Sequence, residues 1–215
     1  MTGYPMQTSP VKPRRGRPPG RSPAYAETRR TLIRFGVEWL SEQGFAATGL
    51  DSLLRRANVP KGSFYHYFEN KEAFGRELIG AYDAYFCGKL DRWLLDDRAT
   101  PLDRLHRFVD DMKADMTQQA FARGCPVGNL GHEIGMLPSG YRERLSEILE
   151  GWQVRVAVCL RDAQHHAELS AQADCDALAS FFWIGWEGAV LRARLIKSVG
   201  PLDNFIHGFI AGLPR

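Results

Sequence analysis

The sequence predicts an all-α protein, and three observations carry that reading. Apolar residues recur at helical spacing from Ala24 to the carboxy end, no stretch sustains strand alternation, and Gly and Pro fall mostly between the periodic segments. With 215 residues, 44% of them hydrophobic, the chain can bury a sizeable core. Its 25% charged and 11% aromatic residues exclude wholesale disorder.

Taken in order, the chain opens with a stretch of Pro, Gly, Ser and basic residues that has almost nothing to bury, expected to be a disordered basic arm over residues 1–23. A first helix is expected from Ala24 to Gln43, with Leu32, Ile33, Phe35, Val37, Trp39 and Leu40 on its apolar side and Gly44 as its stop. Thr48 and Asp51 have the spacing of a capping box, which opens a short second helix to Arg56. Residues 57–60 form a tight turn in which Asn58 can take the left-handed conformation, and a third helix covers Lys61 to Tyr67. Asn70 caps a long fourth helix to about Leu95, and Thr100-Pro101 launches a fifth to about Gln119. The glycines and prolines of residues 121–138 read as loops and broken helix. Helices follow over 139–167, 174–198 and 201–213; with the broken helix of residues 121–138 the expected count is about nine.

Charge is distributed unevenly. Residues 1–23 hold five basic side chains and no acid, residues 24–71 hold seven basic against five acidic, and the rest must be net negative for the total to reach only +3. A positive front on an acidic body suits one surface for a polyanion. The longest apolar run, Phe181–Trp186, is far too short for a membrane span, and no secretory leader is visible, so no membrane partner is expected and the cytoplasm is the expected location. Cys87, Cys125, Cys159 and Cys175 are widely spaced without a CxxC, so neither a disulfide framework nor a zinc or other metal site is expected, and no cofactor.

Two short helices joined by a tight turn have the geometry of a helix-turn-helix, whose second helix enters the DNA major groove. Here that helix reads Lys61-Gly62-Ser63-Phe64-Tyr65-His66-Tyr67-Phe68. Lys61 and Gly62 at its amino end can reach base edges. Ser63, Tyr65, His66 and Tyr67 offer donors to phosphates, Phe64 and Phe68 can anchor the helix, and Lys71 at the next helix start favours another phosphate. An ordinary helical corner with an aromatic core would use the same residues. The segment from Gly44 through Thr48 to Lys71, above all Val59–Lys71, resembles the DNA-binding domain of TetR-family repressors, although Asn58 and Pro60 depart from the commonest Gly and Ser of the turn.

The resemblance implies a TetR-like fold: a three-helix DNA-binding domain over residues 24–70 and a ligand-binding and dimerisation domain over 71–215. It implies double-stranded operator DNA as partner, with Thr48, Ser63, Tyr65, Tyr67 and Lys71 on the backbone and Lys61 and Gly62 facing bases. Arg15-Gly16-Arg17-Pro18 adds an AT-hook-like core that suits a narrow minor groove, unless the arm is simply a solvated basic tail. The resemblance further implies a homodimer that pairs its last two long helices into a four-helix bundle. Leu178, Phe181, Phe182, Gly185, Gly188, Ala189 and Ile196 fall on one broad side of such a helix, and an intramolecular core stripe would use the same residues. Two half-sites also favour a dimer on physical grounds.

For an effector site the expected helices supply Tyr82, Tyr85, Phe86, Trp93, Met112, Met116, Trp152, Trp183 and Trp186, residue types that also make plain core. The Gly-rich break Gly124–Glu133 holds Cys125, Asn129 and His132, and Glu187 lies in the segment Phe182–Ala189. Polar groups interrupting a helical core line a pocket or cap broken helices. Together these segments are similar to the branch that represses acrylate-utilisation genes, and next to the branch that senses electrophiles and represses N-ethylmaleimide reductase. A small α,β-unsaturated carboxylate or carbonyl is the inducer this implies. Two mechanisms stay open: covalent addition at Cys125, whose thiolate would need a cation such as Arg194 or a helix amino end, or reversible binding with the carboxylate held by Asn129, His132 or a tryptophan N–H. A merely structural Cys125 is the third reading. The fourth helix, running from the DNA to near Trp93, is the expected lever.

Enzyme activity is not expected. Cys125, His132 and Glu133 only superficially suggest a nucleophile and base, because residues so close on helical segments need not face one another. An architectural binder of A·T-rich DNA would leave the helical body without a role.

Overall fold

A computed structural model describes residues 22–45 and 49–215. The arm, with Arg15 and Arg17, and Thr48 lie outside the described residues. Among the described residues the architecture is all-helical, with nine α-helices.

Helix α1 (Pro23–Gln43) starts one residue earlier than expected because Ser22 Oγ accepts from Tyr25 N–H at 3.1 Å and Pro23 occupies the first turn. It stops at Gly44, whose φ of +80° suits glycine. Helix α2 (Leu50–Arg56) has Gly49 rather than Thr48 at its N-cap position. Asn58 takes the left-handed conformation, φ +53°, as the turn requires. The expected helix over 61–67 divides into a 3₁₀ turn, Lys61–Ser63, and a short α3 (Phe64–Tyr67). Phe64 and Phe68 are buried and pack with Phe74 of the following helix at centroid distances of 5.4 and 4.5 Å, which fixes the third helix against it.

Helix α4 (Lys71–Leu94) is capped by Asn70, whose Oδ1 accepts from Ala73 N–H at 2.7 Å. Helix α5 (Pro101–Gln118) has Thr100 at its N-cap. The Gly-rich break resolves into α6 (Pro126–His132), a 3₁₀ turn at Ile134–Met136, and the connection to α7 (Tyr141–His165). Asp174 Oδ1 caps α8 (Cys175–Ile196) by accepting from the Asp176 and Ala177 amides, and α9 (Gly200–Ala211) closes the chain.

The core of the larger part is aromatic. Trp152, fully buried, stacks among Phe86 and Trp183 at 4.4 and 5.4 Å, and its Nε1 donates to Asp83 Oδ1 at 3.0 Å. Phe108, Phe182 and Trp186 continue this layer between α4, α5, α7 and α8. The four cysteines are free thiols, three of them buried. Among the described residues no helix is long and apolar enough to cross a membrane.

Candidate nucleic-acid interface and ligand cavity

Burial of Phe64 and Phe68 turns the opposite side of the third helix outward. Lys61, Gly62, Tyr65 and His66 are exposed, Tyr65 by 62%, and a Cβ on Gly62 would meet nothing within 4 Å. Ser63 and Tyr67 are half-buried beside them. Lys61 Nζ is held by Asp51 Oδ1 at 2.9 Å; the hydrogen bond to that carboxylate raises the lysine's pKa. Lys71, expected on a phosphate, donates to Phe45 O at 3.2 Å and sits over the Phe45 ring. It therefore ties the end of α1 to the start of α4.

One residue of this surface escaped sequence reasoning. Tyr25, near the amino end of α1, stacks on Tyr67 at 4.7 Å and donates its hydroxyl proton to His66 O at 3.1 Å. The third helix and α1 are thus joined by a ring pair and a hydrogen bond, the latter across forty-one positions of sequence, a separation no local motif reports.

The carboxy end of α1 is gripped just as directly. Gly124 N–H and Asn129 Nδ2 both donate to Ser41 O, each at 3.1 Å, and the Arg194 guanidinium donates to Glu42 O. Glu133 accepts from Phe45 N–H at 3.1 Å. Arg123 pairs with Glu38 and Glu42 at 3.2 and 3.0 Å, and Arg56 of α2 reaches the same Glu38 at 2.9 Å. Carbonyls left over at a helix end need such donors; here they come from the segment that lines the cavity.

That cavity has a volume of about 460 Å³ and lies between α1, α4, α5 and α8. Tyr82, Tyr85, Cys125 and Trp186 line it with Phe86, Met112 and Met116, as do Ile33, Arg34, Val37 and Ser41 of α1, which were not expected there. A neighbouring space of about 350 Å³ between α6 and α8 is lined by Cys125, Asn129, His132, Glu187 and Arg194. Cys125 borders both. Of the expected ligand residues, Trp93, Trp152 and Trp183 line neither of these two spaces. Trp152 and Trp183 are core, and Trp93 packs under the Arg92 guanidinium at 4.9 Å.

Where the two spaces meet, Glu187, Cys125 and Tyr82 form a cluster of titratable groups in which burial is the largest influence on each. Burial, then the Glu187 carboxyl, pushes the Cys125 thiol well above the ordinary thiol range; Gly128 N–H donates to its Sγ at 3.4 Å as the N-cap of α6. Burial raises the Tyr82 hydroxyl in the same way, with Cys125 next in effect. Burial pushes Glu187 up to about 7. Arg194, expected to activate Cys125, donates to the Glu42 carbonyl, and the thiol stays raised by its burial.

The expected dimer stripe needs correction on α8. A Cβ on Gly185 would lie 2.5 Å from Phe205, and Ala189 is 6% exposed, so both face this chain's own α9 and core. Phe182 is buried and Leu178 half-buried. Phe181, Gly188 and Ile196 are exposed, and the outward face is completed by Ile184, Leu191 and Leu195, with Val154 and Val158 exposed on α7. The run Phe181–Ile184 puts apolar side chains on every side of α8 at that level, which is why periodicity did not reveal its inward face.

Two family models match the chain: the amino-terminal model of bacterial regulatory proteins of the tetR family over residues 32–78, and the tetracyclin repressor-like C-terminal domain over residues 101–209. Transcriptional regulator AcuR of Cereibacter sphaeroides is 51% identical over 93% of this chain and 91% of its own. The repressor NemR of Escherichia coli is 29% identical over 83% and 89%. A crystal structure of a regulatory protein TetR from Rhodobacter sphaeroides superposes with a TM-score of 0.84 at 49% identity, covering 86% of this chain and 98% of that one. Reduced NemR of E. coli superposes with a TM-score of 0.77 at 27% identity, covering 87% and 98%.

Proposed function

Because this chain belongs to the TetR family of bacterial regulatory proteins, we propose that it is a repressor released from a pseudo-palindromic operator by a small α,β-unsaturated carboxylate such as acrylate. It is a DNA-binding transcriptional regulator and not an enzyme, and regulators of this family bind operator DNA as dimers. Residues 24–70 are the DNA-binding unit in this reading. Tyr65, Ser63, Tyr67 and His66 meet phosphates, and Lys61 exchanges Asp51 for a base edge. Residues 71–215 bind effector and partner subunit, with the basic arm of residues 1–23 adding attraction to the duplex.

The observation that carries the inducible part is the position of α1. Its carboxy end forms a wall of the larger cavity and hangs on Gly124, Asn129 and Arg194, while its amino end holds the recognition helix through Tyr25. A ligand that binds better when Ser41 and Glu42 have shifted moves the far end of a 21-residue helix, and with it the spacing of the two recognition helices. α1 is therefore a more direct lever than α4. A cavity of this size takes acrylate with room for longer members of its class.

Reversible binding is favoured over covalent capture, since burial and then Glu187 raise the Cys125 thiol well above the ordinary thiol range and keep it protonated at neutral pH. Cys125→Ser tests this. Operator release by acrylate persists in the variant and reverses on dialysis; a variant that binds operator normally but no longer responds would make the thiol obligatory.

A further inference from the structure

Glu187 presents a carboxyl group in a space it shares with Arg194, whose guanidinium is hydrogen-bonded to the Glu42 carbonyl. It reaches from the middle of α8 to the amino end of α6, with Oε2 so near Gly128 that a Cβ there would lie 2.1 Å from it. Oε1 is shut off from solvent and has no hydrogen-bond partner. Three elements face it. α4 brings the Tyr82 hydroxyl; α6 and its N-cap bring the Cys125 thiol, Asn129 and the exposed His132; α8 itself brings Arg194. Asn129 and Arg194 are already committed to the end of α1. Burial is the larger influence on the group and holds its pKa near 7, while the Cys125 thiol, donating to the carboxylate, acts the other way. A buried carboxylic acid with an unused oxygen is a site waiting for an acceptor.

We infer that Glu187 anchors a small monocarboxylate effector, donating from its neutral carboxyl group a charge-assisted O–H···O⁻ hydrogen bond to the ligand's carboxylate. This rests on the inducer reading above. The pair shares one proton between two carboxylates, an arrangement that is short and strong where two ionised carboxylates would repel. The ligand's carbon chain then points past Cys125 toward Tyr82 and Trp186. The acid discriminates, because an amide or ester of the same chain offers a neutral acceptor and loses the charge assistance.

The anchor makes binding consume a proton. Below pH 7 the acid is already protonated and none is taken up; above pH 7 about one proton enters per ligand, and affinity falls about tenfold per pH unit. The test is calorimetric titration of the purified full chain with sodium acrylate between pH 6 and 9, in paired buffers of different ionisation heat. The expected result is near-zero proton uptake at pH 6, about one proton at pH 9, and the tenfold slope between pH 8 and 9. Glu187→Gln, whose amide donates without titrating, flattens that slope, whereas His132→Asn keeps it and so separates imidazole titration from the acid. Proton uptake by the unaltered chain is decisive even where a variant folds poorly. Tight acrylate binding without proton uptake at pH 9, or a slope retained in Glu187→Gln, overturns the anchor and leaves the acrylate sensor standing. No acrylate binding at any pH overturns the inducer reading and the anchor with it.

Discussion

Glu187 leaves a mark on the folded chain even without ligand. Its carboxyl titrates near 7 when folded and at the ordinary 4.5 when unfolded, so the unfolded state ionises first as pH rises. The folded state holds more protons between those values; stability is therefore greatest below pH 4.5 with respect to this group, declines through the window, and stays reduced above 7. Tyr82 and Cys125 are pushed upward too and remain protonated across it. The shift corresponds to at most about 3 kcal/mol. Glu187→Gln accordingly raises the melting temperature at pH 8 by roughly 5–10 °C relative to its effect at pH 4.5; thermal scans at the two pH values check this, and an equal effect at both would remove the buried ionisation from the account. Residues of the recognition helix were legible in the sequence because their exposure follows from two phenylalanines four positions apart. Cys125, Asn129 and Glu187 stood out as polar groups in an apolar context. Tyr25 did not, since its meaning depends on contacts with Tyr67 and His66 far along the chain.

At the scale of elements, the caps and stops could be read locally. Asn70, Thr100, Gly44 and Asn58 each serve as expected because the chemistry that ends or starts a helix lies within a few residues. The facing of α8 could not, because Phe181, Phe182, Trp183 and Ile184 offer apolar surface in every direction, and only packing on α7 and α9 selects Phe182 and Trp183 for the core. What remains outside is Phe181, Ile184, Gly188, Leu191 and Leu195, spaced alternately three and four residues apart as a helix-packing seam requires. An apolar stripe of this length is costly in water and is expected to meet its symmetry mate. Ile184→Glu, 70% exposed and so harmless to the isolated fold, is predicted to shift the sedimenting species from twice 24.2 kDa toward 24.2 kDa. A variant that stays dimeric would place the subunit contact elsewhere.

At the scale of the whole molecule, α1 runs from Tyr25, against the third helix, to Ser41 and Glu42 beside the cavity and is fastened at both ends. Twenty-one residues of helix span about 30 Å, so a small displacement at Ser41 is carried to Tyr25 without any other element having to transmit it. The wall that α1 lends to the cavity was the part of the site furthest from legible: Ile33 and Val37 read as the apolar side of the first helix, and only the tertiary arrangement makes them, with Arg34, a wall of the cavity as well. The uneven charge of the chain, basic at its front and acidic behind, suits the same division.

Fluorescence anisotropy of the dimer on labelled DNA from its own upstream region, at one fixed salt concentration with and without acrylate, reads operator binding and its release in a single titration. Binding specific to that DNA, abolished in Tyr65→Ala with the dimer intact and weakened at least about tenfold by saturating acrylate, is the predicted result. Equal affinity for unrelated A·T-rich DNA, or specific binding indifferent to acrylate, would contradict an operator-bound repressor that this ligand releases.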